Sequence, residues 1–312
     1  MKAAIVRRYG PPATVRVEDL AEPDIEPNQV LVRVRAASVN PLDTKLRDGS
    51  LRWVMPLTFP AVLGFDFSGE IERLGTAVAG WSTGDRVYGR TNAKTGGTHA
   101  ELVAVASDVI DRIPSSLSFD QAASLPLVAM TAVQALQQVK LAPGERLLVI
   151  GAAGGVGSAA VQVGRAMGAT VTGVCSSQSA PLVERLGARI LDYTKSELAK
   201  TTERFDVVLD TVFSAPTPNL LRALADRGRY VTTGFSAGVL LRSTVGRLWS
   251  RRRFAFVMSR ADGGLMRRVS EMVTAGALTP VIDSIFPLAR IADAHERIEQ
   301  GHTHGKIVVT IS

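Results

Sequence analysis

The sequence contains one cysteine, Cys175, in 312 residues. A lone thiol rules out an intramolecular disulfide and a thiolate zinc cluster, and makes the cytoplasm the expected location. Long apolar runs are missing as well. No stretch is long enough to span a bilayer, and the opening Met1–Arg8 is too short an apolar run for a signal peptide and reads as a first strand. Internal repeats and low-complexity tracts are absent. Acidic residues are in deficit: 36 Lys and Arg stand against 29 Asp and Glu, a formal charge of +7. Much of the excess sits in Arg242, Arg247, Arg251, Arg252 and Arg253, with only Trp249 and Phe254 as interleaved aromatics. That run reads first as a solvated helix face; a phosphate, nucleic-acid, membrane-surface or subunit contact is the alternative. With so few aromatics among the charges, a nucleic-acid partner is not expected.

What is present is an ordinary globular composition, 46% hydrophobic and 21% charged, with enough chain for two domains. The first part is β-rich. Short β-branched runs recur at Lys2–Arg7, Thr14–Val17, Val30–Ala37, Phe67–Leu74, Arg86–Tyr88 and Glu101–Val105, separated by Pro and Gly turns. This predicts a barrel-like or sandwich domain. After Pro114 the rhythm changes. Strand candidates Arg146–Ile150, Thr170–Val174, Ala188–Leu191, Asp206–Asp210, Arg229–Thr233 and Phe254–Met258 alternate with helical stretches such as Gly157–Met167 and Ala180–Leu186. Alternation at this spacing predicts an α/β domain with a doubly wound parallel sheet. The tail, with helices at Gly263–Ala275 and Ile291–Gln300 and a strand at Lys306–Ile311, is expected to rejoin the first domain. The expected division is 1–118, an inserted 119–261, and a returning 262–312.

The strand Leu147–Ile150 runs into Gly151-Ala152-Ala153-Gly154-Gly155-Val156-Gly157 and then a helix of small residues. A strand, a tight turn and a helix N-terminus are the parts that hold a pyrophosphate, through backbone N–H groups and the helix dipole. Ala153, Gly154, Gly155 and Val156 are therefore candidate dinucleotide contacts, with Gly154 allowing close approach and Gly157 allowing the helix to pack. Ala152 stands where the G-x-G-x-x-G fingerprint has its first glycine. An acid at the end of the next strand would select NAD by binding the ribose 2′-hydroxyl. The chain has Val174-Cys175-Ser176-Ser177-Gln178 instead, so Ser176 and Ser177 favour NADP(H). Cys175 reads as a buried strand-end thiol rather than a redox switch.

Further motifs extend along nearly the whole chain: Ser38-Val39-Asn40-Pro41-Leu42-Asp43-Thr44-Lys45, Gly64-Phe65-Asp66-Phe67-Ser68-Gly69, Gly84-Asp85-Arg86-Val87, Leu125-Pro126 with Thr131-Ala132, Leu186-Gly187-Ala188 with Asp192-Tyr193, and Gly301-His302 with Gly305-Lys306. In these the chain resembles the zinc-independent medium-chain dehydrogenase/reductases of the quinone oxidoreductase (ζ-crystallin-like) family. The resemblance implies a Rossmann cofactor domain inserted into a mainly-β GroES-like catalytic domain, and a dimer formed through the last Rossmann strand. It implies that Tyr193 meets the adenosine 2′-phosphate, while a lysine common in the family is replaced by Gln178. Thr131, Gly234, Phe235, Ser236 and Lys306 match positions on the nicotinamide side. The positions of the zinc ligands in metal-dependent relatives match Asn40, Phe65 and Leu127, so no metal is expected. His302 and His304 read as residues of a solvated loop.

Without a Lewis acid, reduction of a double bond conjugated to a carbonyl, or of a quinone, asks least of the protein. Asn40 is the first candidate donor to the developing oxyanion, although it also reads as a turn residue before Pro41. Lys45 is the second, equally readable as an exposed structural lysine. Asp43 is expected to orient backbone or Lys45. The expected function is NADPH-dependent hydride transfer to a quinone or an enone or enal. The competing readings are a zinc-free alcohol dehydrogenase, an enoyl-thioester reductase, and a non-catalytic protein that binds NADPH or RNA.

Overall fold

The computed structural model describes residues 1–92, 96–212, 218–234 and 252–312. The chain forms two compact units, one of Met1–Leu127, Ala261–Gly276 and Pro280–Ser312, the other of Val128–Arg260 with Ala277–Thr279. The first break thus falls later than residue 118. The helix Phe119–Ala123 belongs with the β-rich unit because Ser68 donates to the Phe119 carbonyl (2.6 Å), Arg86 lies over the Phe119 ring, and Ala123 packs on Ala36 and Val308.

In the first unit the strands are β1 (Lys2–Val6), β2 (Val15–Asp19), β3 (Gln29–Val39), β4 (Ala61–Val62), β5 (Asp66–Leu74), β6 (Arg86–Arg90), β7 (Leu102–Ala106) and β8 (Ile110–Arg112). Val30, Val32 and Val34 of β3 turn inward with Phe67, Ile71, Val87 and Val103, the period-2 signature of a half-buried strand. The helix Pro41–Arg47 interrupts the β pattern directly after β3. Asn40 is extended at its N-cap, Pro41 opens its first turn, and Asp43 and the pair Lys45/Arg47 sit where they complement the dipole.

The second unit holds β9 (Arg146–Ile150), β10 (Thr170–Cys175), β11 (Arg189–Asp192), β12 (Phe205–Asp210), β13 (Leu224–Thr232) and β14 (Arg253–Phe256). They form one parallel sheet in the order β11-β10-β9-β12-β13-β14. The order reverses at β9, whose two neighbours are β10 and β12. The carboxyl end of β9 is therefore the switch point at which such sheets bind ligands. Arg253 begins an edge strand and Arg252 donates to the Leu224 and Ala225 carbonyls, so these two residues are not on a solvated helix face. Arg242, Arg247 and Arg251 lie outside the described residues.

The tail returns with β15 (Ile282–Pro287) and β16 (Lys306–Thr310), completing the order β15-β16-β3-β5-β6-β8 with β7 also on β3. Its helix Ile291–Glu299 buries Ile291, Ala294 and His295. Neither ring nitrogen of His295 has a partner among the described residues, and the His99 ring stands edge-on with its centre 6.0 Å away. Burial, then the charges of His99 and Arg47, hold the His295 pKa well below 6.5.

Folding thus withholds a proton that unfolded His295 binds below its ordinary pKa. Its contribution to stability is complete above about pH 6.5 and is lost as pH falls, with a slope up to about 1.4 kcal/mol per pH unit. Urea midpoints measured from pH 8 to pH 5 are expected to show this slope, and His295→Phe to remove it. An unchanged slope in the variant would contradict the assignment.

Candidate functional site

The glycine turn leaves the carboxyl end of β9 and enters the helix Gly155–Ala166, capped by Gly154. The left-handed residue is Gly151, at φ +74, and not Ala152 at the fingerprint's first position. Ala152 needs no glycine freedom; its N–H donates to the Val174 carbonyl at 3.1 Å, fastening the turn to β10. Gly157 is held by space. A Cβ there would lie 2.0 Å from the Gly151 oxygen, whereas one on Gly154 would meet only that oxygen, at 3.4 Å. The first N–H groups of a helix lack intrahelical partners, so Gly155, Val156 and Gly157 present an anion site framed by backbone. Gly154, Gly155 and Val156 are half-buried, while Ala153 and, on another helix, Thr131 are buried.

Beside the turn, parallel pairing sets Cys175 opposite Asp192 and so brings the segments after β10 and β11 together. Ser177 donates to the Asp192 carboxylate, whose other oxygen accepts from the Thr194 N–H (2.8 Å) and hydroxyl (2.6 Å). These bonds, led by the one from Ser177, hold the Asp192 pKa down to about 2. Burial first, then Asp192, Glu184 and Glu197, pushes the Cys175 thiol up to about 11, which fits an inert buried thiol. Ser176 is half-buried, and its hydroxyl lies 3.1 Å from that of Ser179. Tyr193 is 48% exposed. At the end of β13, Gly234 N–H donates to Thr232 Oγ1. Phe235 and Ser236 lie outside the described residues.

The first unit contains a buried polar knot. Asp66 Oδ2 accepts from Ser38 Oγ (2.6 Å) and Asn40 Nδ2 (3.0 Å), and Oδ1 accepts from the Leu127 N–H (2.7 Å). Lys306 Nζ donates to Asn40 Oδ1 (2.6 Å) and the Val39 carbonyl (3.0 Å), 3.6 Å from Asp66. Burial presses the Lys306 pKa down, while Asp66 and Asp43 act against it. Asp43 accepts from the Asn40 and Gly64 N–H groups, each at 2.8 Å. Its carboxyl is raised by burial, against the opposing pull of His99.

Residues 26–115 match the alcohol dehydrogenase GroES-like domain, and residues 186–309 match the family described as zinc-binding dehydrogenase. A mitochondrial NAD(P)H oxidoreductase of Mus musculus is 34% identical, over all of this chain and 89% of its own length. The chloroplastic NADPH-dependent alkenal/one oxidoreductase of Arabidopsis thaliana is 32% identical, over 99% of this chain and 79% of its own. A quinone oxidoreductase structure from Coxiella burnetii superposes with a TM-score of 0.92 at 32% identity, covering 100% and 99% of the two chains. The chain belongs to the quinone oxidoreductase family of medium-chain dehydrogenase/reductases. It is an oxidoreductase that uses a nicotinamide cofactor.

The glycine turn fits the pyrophosphate of that cofactor. A zinc ion of the kind named for the family does not fit the residues present. Phe65 and Leu127 carry no ligand atom, the Asp66 oxygens accept four donors counting Lys306, and Asn40 Oδ1 accepts from Lys306. No group of three or more His, Cys, Asp or Glu able to hold a metal exists among the described residues.

The sequence-derived candidates separate by environment. Asn40, Asp43 and Lys306 meet in one network, whereas Lys45 is exposed. Asp43 orients backbone. Asp66 and Ser38 were not among the expected site residues. The Ser38 and Asp66 motifs were visible, but their pairing needs the β3–β5 register, in which these two residues face each other.

Removing either charge of a buried pair leaves the other uncompensated. Lys306→Met and Asp66→Asn should each destabilise the protein by about 3–5 kcal/mol, and the double variant by clearly less than their sum. Additive losses in urea unfolding would contradict the pairing. Gly157→Ala should cost about 1–3 kcal/mol by overpacking and weaken dinucleotide binding; wild-type stability would refute the close contact.

Proposed function

We propose that the protein is an NADPH-dependent reductase delivering hydride to a quinone or to an α,β-unsaturated ketone or aldehyde, without a metal. The observation that carries this reading is the state of Asn40. Lys306 occupies its carbonyl oxygen and Asp66 accepts one of its amide protons, so the flip of the amide is fixed by charges on both sides. Its second N–H has no partner among the described residues and is the donor offered to the enolate or phenolate oxygen. The bound reduced nicotinamide supplies the hydride. The protein positions Asn40 beforehand, which lowers the barrier because the donor need not reorganise as charge develops. Asp43 holds the Asn40 N–H and with it the backbone at the start of the helix. With the Asp66 oxygens occupied and Lys306 pointing all its bonds into the knot, the proton at the α-carbon is best supplied by water.

The names of the relatives support the substrate class, and Ser176 and Tyr193 beside the turn support NADP(H). The edge position of β14 supports a homodimer paired through that strand. No helix among the described residues is long and apolar enough to cross a membrane. A cytoplasmic location, argued from the single cysteine, belongs to the same proposal.

NADPH oxidation should be seen with quinones, 2-alkenals or 2-alkenones and should survive a chelator. Asn40→Ala should lower kcat/KM for the acceptor by about a hundredfold while leaving the KM for NADPH little changed. No oxidation with any of these acceptors, or its abolition by chelation, would refute the proposal.

A further inference from the structure

Ser177 and Lys195 share one carboxylate, and this sharing decides which of them is able to meet a 2′-phosphate. The Ser177 hydroxyl has a single proton, which it donates to Asp192. Towards any ligand it therefore offers lone pairs only. Asp192 is 3% exposed and Glu197 accepts its N–H at 2.7 Å, so the corner beyond β11 concentrates negative charge. A phosphate dianion arriving there is repelled unless a cation intervenes. Lys195 lies two residues beyond Tyr193 and three beyond Asp192, with its ammonium 3.5 Å from Asp192 and a side chain 65% exposed. An exposed ion pair of this kind holds its lysine weakly, so the ammonium can turn to a stronger anion within reach of its flexible stem.

We propose that Lys195 is the residue that selects the 2′-phosphorylated dinucleotide, its ammonium moving from Asp192 to bridge that carboxylate and the phosphate. This rests on the reading of the turn and its neighbouring corner as the NADP(H) site. It also supplies the cation missing from Gln178. Asp192 keeps the lysine near the corner in the absence of cofactor, and Ser177 and Thr194 keep Asp192 ionised for that purpose.

The test uses the full chain and calorimetric titration with 2′,5′-ADP and with 5′-AMP, at low and moderate salt. The wild-type protein should bind 2′,5′-ADP more tightly, with a salt-sensitive preference. Lys195→Gln should weaken 2′,5′-ADP binding by about ten- to a hundredfold, as expected for one charge-assisted hydrogen bond, and leave 5′-AMP binding unchanged. Lys195→Arg should restore most of the difference, and the unchanged 5′-AMP affinity reports an intact fold. If Lys195→Gln keeps the wild-type ratio, the role of Lys195 is overturned while the NADPH preference stands. If the wild-type protein fails to distinguish the two ligands, both are overturned.

Discussion

The cation of Lys306, buried on the last strand, is the constraint around which the first unit is arranged. An ammonium inside a protein is tolerated only with near-complete compensation. Here the compensation comes from two stretches far from Lys306 in sequence: the Val39 carbonyl at the end of β3 with the adjoining Asn40 amide at the cap of the following helix, and Asp66 at the start of β5. The returning tail is thereby fixed in register against the N-terminal strands, with Ile307 opposite Val39. The same bonds that make the charge tolerable also settle which way the Asn40 amide faces. Stability and the orientation of the Asn40 amide are one arrangement.

The second unit works by the opposite means. Its ligand turn depends on side chains that are absent, since a methyl on Gly157 would run into the Gly151 oxygen and one on Gly173 into Val183 and Ala152. Backbone N–H groups then define the anion site, and they have no titration to tune. Charge enters only beyond β10 and β11, where Asp192 is held ionised by three donors. The anion site at the turn is thus built into the fold, whereas the charge beside it lies in a few exchangeable side chains.

This contrast explains what the sequence disclosed. The parallel sheet was legible because each buried strand is a short apolar run and each crossover a helix. The glycine turn was legible because close backbone approach has few sequence solutions. The helix Pro41–Arg47 carried its own signal in Asn40, Pro41 and Asp43, a cap, an N1 proline and a first-turn acid, though a β-rich setting masked it. The short β4 and β8 have little sequence of their own, and antiparallel partners define them. One reading of a side chain changed because hydrogen-bond partners come from register and not from spacing: Ser177, read as a donor to the cofactor, gives its proton to Asp192. Asp192 was quoted as part of a motif, yet only the pairing of β10 with β11 sets it beside Ser177.

The charges around the knot bear on what kind of acceptor suits it. Asp43, Asp66, Arg90 and Lys306 are all buried, and their formal charges cancel, two negative against two positive. Asp66 raises the Arg90 pKa while burial lowers it, so the two are electrostatically linked. Carboxylates and cations that offset one another in this way leave little spare counter-charge for a carboxylate that must shed its water. The knot does offer an oriented amide N–H, which is worth most against an oxygen that begins neutral and gains charge during the reaction. A quinone or enone carbonyl meets that description. Under the proposed function, an oriented N–H of this kind suits an uncharged acceptor, whose oxygen becomes attractive to Asn40 only as the hydride arrives.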